Sequence, residues 1–396
     1  MIKKIAVEPI RFRDKYLSTP LLTKAEVEQA MDYVVRQTRA NMEYFGKKFP
    51  WSATKGLKYP IIENIEWTDG FWTGLLWLCY EYTGDEAFRV RAEENIDSFL
   101  HRVENRIELD HHDLGFLYSP SCVAGYKLVG SEKGKRAGIL AADKLMERYN
   151  PRDGFIQAWG AVGAQDNYRL IIDCFMNIPL LYWATRITGD AKYAQAADKH
   201  FEKAANYVIR DDASAFHTYY FDAKTGEPLR GATRQGYSDD SAWARGQAWG
   251  IYGIPLNYIQ NHNPASINLY EGMTNYFLNR LPEDDVCYWD LIFGDGSGQS
   301  RDSSAAAIAV CGMHEMGKYL PEVDPEKDTY KHAAHRILRS LIQNYQGHEA
   351  APGNPVLYHG VYSWHSGKGV DEGNIWGDYY YMEALVRFWK DWDLYW

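Results

Sequence analysis

Apolar and small residues recur along this chain in runs without a polar face, and each run opens on a short polar or aromatic motif. Six openings stand out: Trp67-Thr68-Asp69-Gly70-Phe71-Trp72, His111-His112-Asp113-Leu114-Gly115, Arg169-Leu170-Ile171-Ile172-Asp173, Ser241-Ala242-Trp243-Ala244-Arg245-Gly246, Arg301-Asp302-Ser303-Ser304-Ala305 and Trp376-Gly377-Asp378-Tyr379-Tyr380. They fall roughly 45 to 75 residues apart, a spacing that suits a helical hairpin plus a loop. After several of them a glycine stop meets an aspartate start, as at Gly84-Asp85 and Gly189-Asp190. Charged amphipathic stretches lie between them, such as Ala87 to Arg102 and Ser131 to Tyr149. Helices apolar all round read as inner helices and amphipathic ones as outer helices. Six such pairs predict an all-α, (α/α)6 barrel over residues 23–396, behind an irregular N-terminal arm at residues 1–22. An open helical solenoid competes with it. Closure is favoured because the openings differ in chemistry, as they should if they converge on one mouth. Strand signals are confined to short stretches such as Thr218-Tyr219-Tyr220-Phe221, which predict small hairpins over that mouth.

Composition narrows the possible functions. Aromatic residues make up 15% of the chain, with 14 Trp and 30 Tyr, which supplies flat surfaces for sugar rings or a large aromatic core. The formal net charge is −10 and the basic residues do not cluster, so nucleic acid and anionic lipid are excluded as partners. No stretch is apolar enough to span a membrane or serve as a signal peptide, which predicts a soluble, cytoplasmic protein. The five cysteines are widely spaced and lack metal-type pairing, as buried free thiols would.

Candidate chemistry lies at the helix starts. Asp69, Asp113, Asp173, Asp302 and Asp378 each sit at or near one, where a plain capping role is the simplest account. Asp173 fits that account worst, because Leu170-Ile171-Ile172 and Cys174-Phe175-Met176 flank it with apolar bulk. Desolvation raises a carboxyl pKa toward the value a general acid needs. His111 and His112 before Asp113 suggest a metal, yet adjacent helical residues point about 100° apart and cannot all face one ion. No metal and no cofactor are therefore expected. Nucleophile elbows, His-paired cysteines and phosphate-binding glycine loops are absent, which leaves carboxylate acid–base chemistry in an aromatic cleft.

Six motifs closely resemble those of the unsaturated glucuronyl hydrolases, in the same order and from about Leu22 onward. They are Trp67-Thr68-Asp69-Gly70-Phe71-Trp72, Asp110-His111-His112-Asp113-Leu114-Gly115-Phe116-Leu117-Tyr118, Gln157-Ala158-Trp159-Gly160, Ile171-Ile172-Asp173-Cys174, Trp243-Ala244-Arg245-Gly246-Gln247-Ala248-Trp249-Gly250 and Ile375-Trp376-Gly377-Asp378-Tyr379-Tyr380-Tyr381. The streptococcal members are the most similar. The resemblance implies the same barrel and an unusual hydrolysis, in which water adds across the C-4 to C-5 double bond of an unsaturated uronic acid. It implies that Asp173 is the general acid and base and that Asp113 assists it. It places Trp67, Trp159, Trp243 and Trp249 around the sugar, with His112, His217, Gln235 and Arg245 as polar contacts. Arg245 is expected to hold the uronate carboxylate, which its guanidinium fork matches. Ser363, Ser366 and Lys368 look like the loop that accommodates a sulfate in streptococcal-type members, and Arg234 could add to anion preference.

The expected substrates are lyase-generated glycosaminoglycan disaccharides of the chondroitin or hyaluronan type; the oligomeric state is not set by the sequence. Competing readings are an unsaturated rhamnogalacturonyl hydrolase acting on pectin fragments, a sugar epimerase on a similar barrel using the His111-His112 pair, and a sugar-binding module without turnover.

Overall fold

A computed structural model describes residues 1–396. Six helices form an outer ring: Lys24–Phe45, Glu86–Glu104, Glu132–Met146, Lys192–Tyr207, Ala265–Leu278 and Lys327–Ser340. Between them, in chain order, come the six inner segments. These are Asp69–Thr83, the helical run Leu114–Tyr118 through Ser119–Val123 to Ala124–Val129, the pair Cys174–Asn177 and Pro179–Thr188, then Ala244–Asn261, Ser303–Gly317 and Ile375–Trp389. The six sequence openings therefore each lead into an inner helix. Every inner segment packs on the next, and Ile375–Trp389 packs back on Asp69–Thr83. That last contact closes the ring, so the architecture is a barrel and not a solenoid.

The pattern of side chains dictates which helices go inside. Asp69–Thr83 buries every residue from Asp69 to Cys79, as a helix without a polar face must. The outer Lys192–Tyr207 buries one stripe, including Tyr193, Ala196, Ala197, His200 and Phe201, and leaves Lys192 and Lys199 to solvent. Apolar side chains from both rings form one continuous core, and all five cysteines lie in it, free and buried. No helix is long and apolar enough to cross a membrane.

The two ends of the barrel are built differently. At one end tight turns join inner to outer helices. Gly84 adopts φ 69° and Gly189 φ 76°, while Asp85 and Asp190 accept from the Ala87 and Lys192 amides at 2.9 Å. At the other end long segments lead from outer to inner helices, and these hold all the strands. A three-stranded antiparallel sheet joins Arg169–Ile171, Thr218–Phe221 and Pro228–Ala232, and a hairpin pairs Gly360–Ser363 with Lys368–Glu372. The strand expected at Thr218 to Phe221 is thus present, and strands and inner-helix starts share one mouth.

Two features lay outside the sequence reading. The N-terminal arm is not irregular throughout, because Arg13–Leu17 is helical. Before that helix, the Lys3, Ile5 and Arg11 amides donate to the side chains of Asn206, Asn268 and Asn279 at 2.8 to 2.9 Å, which fastens the arm across neighbouring outer helices. At the end opposite the mouth, Arg387 donates to Glu315, to Tyr252 and, at 3.0 Å, to Glu383, and the Trp396 indole donates to the same Glu383 at 3.0 Å. All five side chains are buried. A guanidinium between two carboxylates satisfies charges that would otherwise be prohibitive there.

Candidate active site

The mouth funnels into a cavity of about 290 Å³ lined by Asp113, Asp173, four tryptophans (Trp67, Trp159, Trp243 and Trp249), His217, Gln235, Arg245, Arg169, Arg234, Glu66, Ile171 and Tyr362. Asp113 and Asp173 stand immediately before two neighbouring inner helices, in the N-cap position. Neither side chain caps its helix, and neither does that of Asp302. The simple capping account fails for these three, leaving Asp113 and Asp173 free to face the cavity.

What brings the two acids together is a close approach of backbone. A Cβ on Gly115 would lie 2.4 Å from both Cα and O of Asn177, so only glycine lets these helix starts touch. Asn177 then ties them: its side-chain oxygen accepts from the Phe116 amide at 2.9 Å, and its amide donates to the Asp173 carbonyl at 3.2 Å and lies 3.4 Å from an Asp113 carboxylate oxygen. Gly115→Ala should therefore cost about 1–3 kcal/mol of stability by overpacking and lower activity further than the lost stability explains. Thermal melts and turnover measured on one preparation check this, and unchanged turnover would contradict it.

His112 sits behind the acids, 1% exposed, with Nε2 3.2 Å from Asp173 Oδ1 and 3.5 Å from Asp113 Oδ1. The alignment to Asp173 is too poor for a hydrogen bond, and Asp173 Oδ1 has no other partner. Burial works against the charged imidazole, but the two carboxylates outweigh it and raise its pKa. Burial likewise raises Asp173, with Asp113 adding to the effect and His112 opposing it. For Asp113 burial is overcome by His112, His111 and Asn177, and its pKa falls below the ordinary value. Two adjacent carboxyls so divided differ in their hold on a proton, Asp173 being the weaker acid of the two.

The premise used against a metal needs correcting. Residues His111 to Asp113 precede the helix that begins at Leu114, so helical divergence does not apply to them. One donor atom each from His112, Asp113 and Asp173 lies within 4.8 Å of the others, a set that could also hold a cation. His111 lies outside this set but beside Asp113: its ring stacks on Trp159 at 4.6 Å, and its Nδ1 accepts from the Asp113 amide and stands 3.4 Å from Asp113 Oδ2.

Other expected contacts divide into those facing the cavity and those holding its walls. Trp159 is 37% exposed and offers its free face, whereas Trp67 stacks on Trp376 at 5.5 Å and donates to the Tyr362 hydroxyl. Trp243 and Trp249 are buried, the latter against Phe116. His217 Nδ1 accepts from the Arg234 and Gln235 amides, so the neutral ring carries its proton on Nε2. Burial and the surrounding Arg169, Arg245 and Arg234 push its pKa down to about 3, which keeps it a neutral donor.

Arg245 does not present a free fork, contrary to the sequence reading. Its Nη1 donates to Asp302 at 2.7 Å and to the Val361 carbonyl at 2.5 Å. Its Nη2 donates to Gln235 Oε1 and to the Tyr362 carbonyl, both at 2.7 Å. Flanked by Trp243 and Trp376, it fixes the hairpin to the wall and turns the Gln235 amide nitrogen outward. His112 is similarly a partner of the acids and not part of the lining. Ser363, Ser366 and Lys368 lie on the hairpin beyond Tyr362, with Lys368 facing an adjoining cavity beside Trp51, Lys55 and Glu372. Glu66, Arg169, Tyr362 and Asn177 are site residues for which the sequence reading assigned no role. Only Asn177 and Arg169 carried a signal, the first as a polar residue inside an apolar run and the second through strand alternation.

The fold and site define a class: an (α/α)6-barrel hydrolase with one unequal carboxyl pair walled by tryptophans. The chain belongs to Glycosyl Hydrolase Family 88, whose model matches residues 27–393. It is 62% identical over 396 residues, all of both chains, to an unsaturated chondroitin disaccharide hydrolase from Streptococcus pneumoniae. It is 42% identical over 361 residues, 91% of this chain and 96% of the relative, to an unsaturated glucuronyl hydrolase from Bacillus sp. (strain GL1). Among solved structures, that of unsaturated glucuronyl hydrolase from Streptococcus agalactiae superposes with a TM-score of 0.99 at 62% identity, covering all of both chains. A mutant of that enzyme complexed with dGlcA-GalNAc6S gives a TM-score of 0.92 at 59% identity, again over all of both chains. The expected family and barrel are both met.

Proposed function

We propose that this chain, as one catalytic unit over residues 23–396, releases the 4,5-unsaturated uronic acid from the non-reducing end of chondroitin- or hyaluronan-type disaccharides. The observation that carries this reading is the tightness of the carboxyl pair. Ordinary glycosidases set their two carboxyls on either side of the bond they break, where each acts on its own. Here carboxylate oxygens of Asp113 and Asp173 approach within 4.8 Å and share His112. Such a pair is one proton-transfer centre, suited to delivering a proton to a carbon and then taking one from water.

Asp173, holding its proton, protonates C-4 of the vinyl ether, and positive charge spreads over C-5 and the ring oxygen. The Asp173 carboxylate so formed takes a proton from the water that attacks C-5. The hemiketal opens, and the former glycosidic bond breaks as the aglycone leaves. Asp113 stays ionised throughout and supports the developing positive charge. The buried free thiols suit a reducing compartment, where the enzyme would receive fragments from an upstream lyase. Relatives that are unsaturated chondroitin disaccharide hydrolases, and the dGlcA-GalNAc6S complex of one similar enzyme, support the substrate class.

The test is loss of ultraviolet absorbance from unsaturated chondroitin disaccharides, unsulfated and 6-sulfated, in buffer containing a chelator. Wild type should bleach both, and survival of activity under chelation separates acid–base chemistry from use of a cation at His112, Asp113 and Asp173. Lys368→Ala should lose about tenfold on the sulfated substrate alone, the worth of one charge-assisted contact. Bleaching confined to a pectin-derived disaccharide would replace the substrate class with rhamnogalacturonan fragments.

A further inference from the structure

With the Arg245 fork occupied, the uronate carboxylate needs another cation close to Asp173. Strand geometry supplies one. Arg169–Ile171 is a β-strand, and alternate residues of a strand face the same side. Arg169 and Ile171 accordingly line the cavity, and Asp173, just past the strand end, lines it with them, while Leu170 and Ile172 point into the core. We propose that Arg169 binds the C-6 carboxylate of the unsaturated uronate, beside the acid that protonates C-4. This assignment rests on the hydrolysis proposed above.

Three observations support it. Arg169 is 3% exposed, yet its buried Nε has no hydrogen-bond partner. Its one protein contact through the guanidinium hydrogens is Nη1 to the Tyr220 hydroxyl at 3.2 Å, over a ring 5.5 Å away. A buried guanidinium with an unmatched donor is costly, and a docked carboxylate matches it. The remaining cation of the lining, Arg234, is exposed at the rim. The substrate's own connectivity adds a constraint, because its carboxylate sits on C-5, one bond from the carbon that receives the proton. Whatever holds that carboxylate must face the same cavity as Asp173, as Arg169 does.

The position has a consequence for the acid. Arg169 is among the groups that pull the Asp173 pKa down. A carboxylate docked on Arg169 neutralises that pull, so Asp173 holds its proton more firmly once substrate is bound.

The experiment compares wild type, Arg169→Met and Arg169→Lys on an unsaturated chondroitin disaccharide and on its uronate methyl ester, which lacks the anionic charge. On the acid, Arg169→Met should lose about 100-fold in kcat/KM, chiefly through KM, as expected for loss of a charge-assisted pair, and Arg169→Lys should recover part of it. On the ester, wild type and Arg169→Met should differ little. In Arg169→Met the alkaline limb of kcat/KM, which reports free enzyme, should move to higher pH. An equal loss on acid and ester, with an unmoved alkaline limb, would overturn the assignment and leave Arg169 a wall residue. If wild type bleaches no unsaturated disaccharide, the hydrolysis itself fails and the assignment falls with it.

Discussion

Asp173→Asn should slow bleaching of the unsaturated disaccharide by on the order of 10³-fold while leaving the substrate bound in the cavity. The amide keeps the shape of the carboxyl but cannot deliver its proton to C-4 or take one from water. With one group proposed for both steps, no second residue is left to take over half the reaction. The pH profile of the wild type follows from the same pair. Burial raises Asp173, so its acid form persists above the range of an ordinary carboxyl, and activity should fall as pH rises through its pKa. Asp113 is held low, so its negative charge survives into mildly acidic solution, and the acid limb should lie below the usual carboxylate value. The profile should therefore be broad with a displaced alkaline limb. Calorimetry on Asp173→Asn and stopped-assay rates across pH measure the two halves of this prediction, and an Asn variant of near wild-type rate would remove Asp173 from the chemistry.

Arg387→Met should lower the free energy of unfolding by about 3–5 kcal/mol, the cost of leaving buried charge uncompensated. Methionine replaces the stem of arginine well, so the loss falls on the buried Glu315 and Glu383, of which Glu315 keeps only Lys318 at 3.4 Å. Adding Glu315→Gln and Glu383→Gln to the same variant should restore much of the stability, since neutral amides need no counter-charge. Urea unfolding of the single and triple variants distinguishes the cases. A single variant within about 1 kcal/mol of wild type would mean that the network contributes no more than a surface pair does.

The sequence disclosed the barrel because its signals are local. An inner helix such as Asp69–Thr83 announces itself by having no polar face, and Gly84-Asp85 marks its end by backbone and capping chemistry confined to two residues. The burial of Asp173 was legible for the same reason, since apolar residues flank it in the chain, and burial does raise its pKa. Arg245 was misread because its partners are remote. Asp302 lies 57 residues away and the hairpin carbonyls more than 100, and no pattern around Arg245 shows that its donors are spoken for. The His111-His112-Asp113 triplet was misjudged by one structural detail, the position of the first helical residue. Moving that boundary from before His111 to Leu114 lets His112 and Asp113, which would diverge on a helix, converge with Asp173. In the sequence Arg169 reads as part of a helix opening, and its place in the cavity wall shows only once the residues before Asp173 form a strand.

The contact between Ile375–Trp389 and Asp69–Thr83 also governs when this protein can come into being. During synthesis the first inner helix, apolar on all sides, leaves the ribosome with one flank bare, and its neighbour on that flank is the last helix to be made. Trp67 waits in the same way for Trp376. Long sequence separation slows the joining, and bare apolar flanks attract other chains meanwhile. A truncated chain lacking the last helix would hold both Asp113 and Asp173 and still have no barrel to put them in, so activity should appear in a newly made chain only after the final helix is released.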